Sequence, residues 1–346
     1  MALSLEAIAS ELPRRTVVVL GDLVCDEYVY GETERVSREA PVLVVRYEAS
    51  ERRPGGAGNA AANLAALGVR TRVVGVTGVD DEGQAVVGAL RDQGASVHGV
   101  LALPERRTDT KMRILAGGKN TRRQQMLRLD RGQTAALSAR TERQLLAALR
   151  EACEGADALL VSDYGSGTCS PAVIAQVRRL ARRGVTVCAD SRHNLGAFSG
   201  VQVVKPNESE LELASGIRTG DDALAFERAG RAFLRTLRCG AVLVTRGRSG
   251  MALFRAGEPT EQIAAHGSSD AVDVTGAGDT VMAAFTAALA ASGDVLASAR
   301  IANVAGALCV KKPGTAVVTQ EELCAELALS FRLGRNVPAK LRRARG

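Results

Sequence analysis

The chain has 346 residues and is 46% hydrophobic, enough for one large α/β domain or two small ones around a substantial core. Aromatic residues make up only 3% and Trp is absent, so that core must be built from Ala, Val and Leu. The net charge of +7 first suggests nucleic acid, but six of those charges (Arg332, Arg335, Lys340, Arg342, Arg343, Arg345) sit in the acid-free stretch 331–346, leaving a nearly neutral body.

In chain order, Glu6 and Glu11 interrupt the N-terminal apolar residues and no cleavage site follows, which predicts no secretory signal. Residues 16–20 are a β-branched apolar run closed by Gly21-Asp22, the pattern of a buried parallel strand. Residues 42–47 read as a strand, 59–67 as a helix, 71–76 as a strand and 82–93 as a helix. The 110–129 region is strand-like, with Gly117-Gly118 as a turn; together with 42–47 it predicts a small antiparallel sheet projecting from the main layer. Further on, helical patterns at 139–152, 171–182, 221–237, 278–291 and 298–310 alternate with apolar runs at 158–162, 185–189, 201–204 and 241–245. This alternation predicts an α/β fold with one doubly wound, mostly parallel sheet covered by helices on both faces. Residues 1–330 read as a single domain, and 331–346 as a disordered, solvated basic tail.

The seven cysteines are scattered without a CxxC pair, which excludes a clustered zinc site and a disulfide framework and fits reduced thiols in a cytoplasmic protein. Three dispersed histidines suggest neither a metal cluster nor a triad. No apolar run reaches the ~20 residues of a membrane helix. The expected partners are small molecules, with neither nucleic acid nor membrane among them.

The segment Asp273-Val274-Thr275-Gly276-Ala277-Gly278-Asp279-Thr280 carries the strongest chemical signal. Small residues at 276–278, just before an Ala-rich helix, let backbone N–H groups point at an anion. Asp279 can take the proton of an attacking hydroxyl while those amides hold a transferring phosphoryl group, and the helix dipole favours its ionised form. By itself such an Asp more often only stabilises a first helical turn. Gly55-Gly56-Ala57-Gly58-Asn59 allows a ligand to approach the backbone, with Asn59 as an amide ligand or an N-cap. Gly21-Asp22 sits at a carboxyl strand edge, where open α/β sheets bind ligands; Asp22 can meet sugar hydroxyls or form a turn. Asn207 and Glu210, in Lys205-Pro206-Asn207-Glu208-Ser209-Glu210, can hold a hydrated Mg²⁺ or cap a helix. Thr245-Arg246-Gly247-Arg248-Ser249-Gly250 suits a nucleotide lying across backbone, or a hairpin turn. A dehydrogenase is disfavoured, because no GxGxxG with a following ribose acid occurs, and neither does a GxxxxGK[ST] loop.

These five segments, in this order, resemble the ribokinase-like (PfkB) family of carbohydrate kinases over roughly residues 14–325. The resemblance implies a central sheet flanked by helices, with a small β-sheet lid (42–47 and 110–129 here) that closes over the sugar and mediates a homodimer. It implies Asp279 as base, the amides of Gly276, Ala277 and Gly278 as anion hole, and ATP with Mg²⁺ near Asn207 and Glu210. Lys205, Thr245, Gly247, Gly250 and Asn303 match positions around the nucleotide. Asp22, Gly55, Gly56 and Asn59 match positions at sugar hydroxyls, and Asp163 also falls on the substrate side. Asp273 and Thr275 correspond to positions near a monovalent cation, which implies K⁺ as an additional cofactor.

Within that family, residues 21–31, 35–41, 51–56, 110–113, 125–130 and 160–164 are similar to kinases that act on D-glycero-β-D-manno-heptose 7-phosphate, for ADP-heptose and the lipopolysaccharide core. The 7-phosphate must meet cations; Lys111, Arg113, Arg128 and Arg35 are the candidates by charge and lid position. Many such kinases are fused to a nucleotidyltransferase bearing a GxFDxLHxGH-type motif; that motif does not occur here, which predicts the stand-alone form. Two departures stand out: Asp190-Ser191-Arg192 where the subfamily tends to show Asp-Pro-Lys, and a long lid around 116–123. A family kinase of ribose, fructose or a nucleoside is the nearest alternative, and the basic lid weighs against it. A non-catalytic nucleotide sensor on this fold is the alternative of another class, and it has no need of Asp279 or the glycines.

Overall fold

Strand β1 (Thr16–Val36) belongs to two sheets, and the layout follows from that. The computed structural model describes residues 3–118, 123–132, 136–267 and 271–332. In its first part β1 pairs parallel with β3 (Arg70–Gly78) on one side and β7 (Ala158–Asp163) on the other. From Leu23 onward it pairs antiparallel with β2 (Leu43–Gly56) and from Val24 parallel with β5 (Asp109–Gly117), and β5 pairs antiparallel with β6 (Gln124–Arg131). The strand expected at 16–20 therefore does not stop at Gly21-Asp22. Its backbone groups find new partners there, and Asp22 marks the passage from main sheet to lid.

The main sheet has the order β12–β11–β10–β9–β8–β7–β1–β3–β4. Strands β4 (Ser96–Leu103), β8 (Thr186–Ser191), β9 (Val203–Val204) and β10 (Ala241–Thr245) are parallel members; β11 (Met251–Arg255) and β12 (Glu261–Ile263) form an antiparallel edge. Side chains along β1 alternate between two cores, as a strand buried on both faces requires. Val17 and Val19 join the core under α1 (Leu5–Ser10), α2 (Ala57–Ala66), α8 (Ala277–Ser292), α9 (Val295–Cys309) and α10 (Gln320–Arg332). Val18 and Leu20 join the core under α4 (Ala139–Ala152), α5 (Pro171–Arg182), α6 (Glu208–Ser215) and α7 (Ala223–Leu237). The helix α3 (Asp81–Asp92) sends Val86 and Leu90 into the first core. Alanines dominate the α8 and α9 contact faces, as the aromatic-poor composition requires.

Helix starts follow capping chemistry. Asp80, Ser138, Ser170, Asp222 and Asp294 each accept a backbone N–H from the first turn of the helix they precede. The sequence reading missed α1, β4, β11, β12 and α10, which are short, at an edge or weakly periodic, and it marked the start of α6 at Asn207 without its extent. The lid is antiparallel in its β1–β2 and β5–β6 pairs but parallel between β1 and β5, so it is a mixed sheet. Helix α10 runs to Arg332, two residues into the stretch read as tail; the remaining tail, 333–346, lies outside the described residues, as does 119–122 of the long lid turn.

Candidate active site

Asp279 stands in the first turn of α8, buried to 5% exposure and held from two sides. The Asn59 amide donates to its Oδ2 and the Tyr164 hydroxyl to its Oδ1, each at 2.9 Å. Asn63 fixes the Asn59 amide by donating to Asn59 Oδ1 at 3.2 Å, which turns the Asn59 nitrogen toward the carboxylate. Burial drives the Asp279 carboxyl up to about 7; the Asn59 bond opposes this, Asp190 adds to it and the Tyr164 bond opposes it again. The helix-dipole expectation of a readily ionised acid is thus corrected by desolvation: this carboxyl titrates near neutrality, where a general base works best.

Gly276, at φ +77°, is the N-cap of α8, and a Cβ there would lie 2.5 Å from Asn59 Nδ2. Only glycine combines that conformation with that approach. The Ala277 N–H is engaged with the Val274 carbonyl at 3.2 Å, so its place in the anion hole is one that an anion must share. Gly278 follows with Lys205 beside it: a Cβ on Gly278 would stand 3.8 Å from Lys205 Nζ. Lys205 is buried and paired with Asp190 Oδ2 at 3.0 Å. Burial disfavours its charge, but Asp190, Glu210 and Asp279 outweigh that and raise its pKa. A fixed ammonium, small-residue amides and a carboxylate therefore converge at one helix start, the arrangement phosphoryl transfer needs.

Asp22 is almost fully buried, and its carboxylate accepts the backbone N–H groups of Tyr164 (2.8 Å), Ser166 (3.0 Å) and Thr168 (3.1 Å). In this structure it shapes the loop that carries Tyr164, which corrects the expectation of an Asp free to meet sugar hydroxyls. Asp163 likewise accepts from Gly165 N–H and the Ser191 hydroxyl. Burial raises its pKa, with the Ser191 bond opposing. Gly55 packs against Asp26, and Gly56 (φ +57°) turns β2 into α2, which presents Asn59.

In the lid, cross-strand partners share a face. Asp26 aligns with Lys111 and Tyr28 with Arg113; Lys111 aligns with Asp130 and Arg113 with Arg128. This face looks onto the base, because Lys111 Nζ lies 4.5 Å from the Tyr164 ring centroid. Burial lowers the Lys111 pKa, with Asp26 opposing. Arg113 is committed to Asp26 (2.6 Å) and Arg128 to Asp130, with Nε–Oδ1 at 2.7 Å. Arg35 is exposed opposite Val44, nine residues beyond Asp26 on β1, or roughly 30 Å at strand rise. The structure does not gather it with the other three, which corrects the expectation from charge alone. A cavity of about 930 Å³ opens between the lid and the loops of Asp273 and Pro313, with Tyr28, Arg113 and Arg123 on its walls.

On the nucleotide side, Asn207 and Glu210 form a reciprocal capping box at the start of α6: Asn207 Oδ1 accepts from Glu210 N–H (2.8 Å) and Glu210 Oε2 from Asn207 N–H (2.9 Å). This corrects the picture of two free ligands: one Glu210 carboxylate oxygen remains, which fits an ion that keeps its water shell. Thr245 ends β10; Gly247 and Gly250 bound the following turn, and Asn303 donates to the Ala264 carbonyl at 2.8 Å. Asp273 accepts from Thr275 N–H and Gly314 N–H, both at 2.9 Å. Burial acts to raise its pKa, and these bonds reverse it to a net lowering, so the carboxylate stays charged. Sequence reasoning gave no role to Tyr164, Asp190 or Asp26; the available signal was position, since Tyr164 and Asp190 follow or close strands at the carboxyl edge.

The model of the pfkB family of carbohydrate kinases matches residues 14–322. The chain belongs to this family. Its fold is ribokinase-like. Among curated proteins, the bifunctional protein HldE of Trichlorobacter lovleyi is 39% identical over 317 residues, covering 91% of this chain and 63% of the relative. HldE of Geobacter sulfurreducens is 37% identical over 326 residues, covering 94% and 65%. The chain thus spans just under two thirds of the length of these relatives. Among solved structures, Arabidopsis thaliana ribokinase complexed with ribose and ATP aligns with a TM-score of 0.68 at 23% identity, covering 90% of this chain and 98% of that one. Phosphofructokinase-2 from Escherichia coli in complex with potassium aligns at 0.74 and 21% identity, covering 92% and 99%. Among the described residues no helix of this pfkB kinase is long and apolar enough to cross a membrane.

Proposed function

We propose that this pfkB-family kinase transfers the ATP γ-phosphoryl group to the anomeric hydroxyl of D-glycero-β-D-manno-heptose 7-phosphate, giving the 1,7-bisphosphate for ADP-heptose and the lipopolysaccharide core. The observation that carries the choice of a phosphorylated sugar is the lid face above the base, which Lys111, Arg113 and Arg128 share with Asp26 and Asp130. Asp26 and Asp130 balance the two arginines, so Lys111, seated on the Tyr164 ring, gives this face its net positive charge, which a phosphate can use and a neutral sugar cannot.

Asp279 takes the proton of the anomeric hydroxyl as its oxygen attacks the γ-phosphorus; the bond from that phosphorus to the β-phosphate oxygen breaks and ADP leaves. Each Asp279 oxygen keeps a second lone pair for the incoming hydroxyl. Gly276 and Gly278 amides and Lys205 receive the phosphoryl oxygens, and positioning plus charge neutralisation supply most of the acceleration. A divalent cation, Mg²⁺, would neutralise phosphate charge, held through water by Glu210 beside Asn207. K⁺ would sit by Asp273 and Thr275. Thr245, Gly247, Gly250 and Asn303 border the nucleotide, and Asn59, Gly55, Gly56 and the Asp22 and Asp163 loops border the sugar.

The same proposal includes a cytoplasmic location, where ATP is supplied, and residues 1–330 acting as one unit. It includes a homodimer through the lid, whose outer face leaves Leu127 at 56% and Leu129 at 49% exposed. The test compares ATP consumption with heptose 7-phosphate, fructose 6-phosphate and ribose. The heptose phosphate is expected to give the highest kcat/KM; a clear preference for either other sugar overturns the substrate assignment and leaves the kinase class standing.

A further inference from the structure

We infer that Tyr164 is a positioning residue for the catalytic base, holding the Asp279 carboxylate by its hydroxyl while the lid seats Lys111 on its ring. The inference rests on the kinase reading above and adds a part to it. Tyr164 is fixed from three directions. Its N–H is held by the Asp22 carboxylate at 2.8 Å, its hydroxyl donates to Asp279 Oδ1 at 2.9 Å, and Lys111 Nζ lies 4.5 Å from its ring centroid. Lys111 is on β5, and Asp22 is the residue of β1 where main sheet passes to lid. One aromatic ring therefore joins the lid, the sheet junction and the base.

A hydroxyl that donates to a carboxylate stabilises its ionised form. Tyr164 itself stays protonated, since burial and the neighbouring Asp279 charge hold its pKa well above the usual tyrosine value. It is thus a permanent donor across the working pH range. The other groups facing Asp279 are Asn59 from α2, Asp190 from β8, Lys205 after β9, Asp26 from β1, Lys111 from β5 and Cys309 from α9. Asp190 and Asp26 oppose ionisation while Asn59 and Tyr164 support it. Deleting the Tyr164 hydroxyl shifts that balance toward the protonated, inactive carboxyl.

The test is Tyr164→Phe in the full chain, read in two ways. Carbon-13 NMR of labelled aspartate carboxyls needs no substrate, and Asp279→Asn identifies the resonance. The Asp279 titration midpoint is expected to rise by about one pH unit, the size of one hydrogen bond to a charged group. Turnover of heptose 7-phosphate with MgATP should then fall about tenfold near pH 6 and return to within about twofold of wild type near pH 9, because a raised pKa matters only on the acid limb. The KM for ATP should not change. An unmoved or lowered midpoint overturns the inference, and so does a loss of turnover equal at both pH values. Undiminished turnover by Asp279→Asn would instead overturn the kinase mechanism, and the NMR midpoint would still decide the Tyr164 contact.

Discussion

The floor of the site and the lid above it hold charge in different ways. On the floor, Asp279 and Lys205 are buried, and each is fixed by a partner from another part of the chain, Asn59 and Tyr164 for the first, Asp190 for the second. In the lid the inner pair Arg113–Asp26 is buried like those of the floor, but Arg128 is partly exposed and pairs with Asp130 two residues away, and Lys111 rests on a ring rather than a carboxylate. Desolvated charges cost much to place and cannot re-pair cheaply, whereas exposed pairs are worth about 0–1 kcal/mol and exchange partners easily. The floor is therefore suited to chemistry, which needs fixed geometry, and the lid to recognising an anion that arrives and leaves.

Substitutions can break this division. The largest effect is expected from Gly276→Ala, which places a Cβ on Asn59 Nδ2 and strains a left-handed residue. Steady-state assays should show kcat reduced about 10²- to 10³-fold, as when an anion-hole donor is lost. Next, Lys205→Met should lower kcat about a hundredfold. It should also cost about 3 kcal/mol in denaturant unfolding, because Asp190 is left unpaired. In the lid, Arg128→Ala should raise the KM for heptose 7-phosphate about tenfold while kcat and the KM for ATP stay put, the loss of one charge-assisted contact. A fall in kcat instead would erase the distinction between floor and lid. The smallest effect is expected from Asn207→Ala, about 1 kcal/mol of stability from the lost cap, with Asn207→Ser restoring it. If the Ser variant regains stability but not Mg²⁺ affinity, Asn207 serves the cation as well as the helix.

Acidity sharpens the same contrast. The base must be ionised, so kcat should fall as pH drops below about 7. Stability runs the other way. With the folded carboxyl raised above its unfolded value near 3.8, its contribution is full below that value and is lost as pH rises through about 7. Asp279→Asn should accordingly melt no lower than wild type at pH 8, which a thermal scan would check.

Much of the floor was legible in the sequence because its parts are contiguous. Gly276 to Asp279 and Gly55 to Asn59 each combine backbone need and chemistry within five residues, and the structure brings Asn59 onto Asp279. Tyr164 and Asp190 were not assigned, since their meeting with Asp279 and Lys205 depends on separate strand ends in one parallel sheet. Asp22 and the Asn207–Glu210 pair were seen as groups with two uses, and folding commits their oxygens to backbone N–H donors that no local pattern reveals for Asp22. The lid was read as strands but not in its pairing, because charge and alternation mark a strand's faces without naming its neighbours. Arg35 was misplaced for that reason: it lies on lid strand β1, but nine residues along it from Asp26 and away from the site.

The most direct test of Asp279 as the base of phosphoryl transfer is the single-turnover rate of Asp279→Asn with heptose 7-phosphate and ATP, alongside its ATP dissociation constant. The geometry predicts a rate lowered by about 10³-fold or more with ATP binding within about twofold of wild type. A rate near that of the wild type, with ATP bound normally, would contradict it.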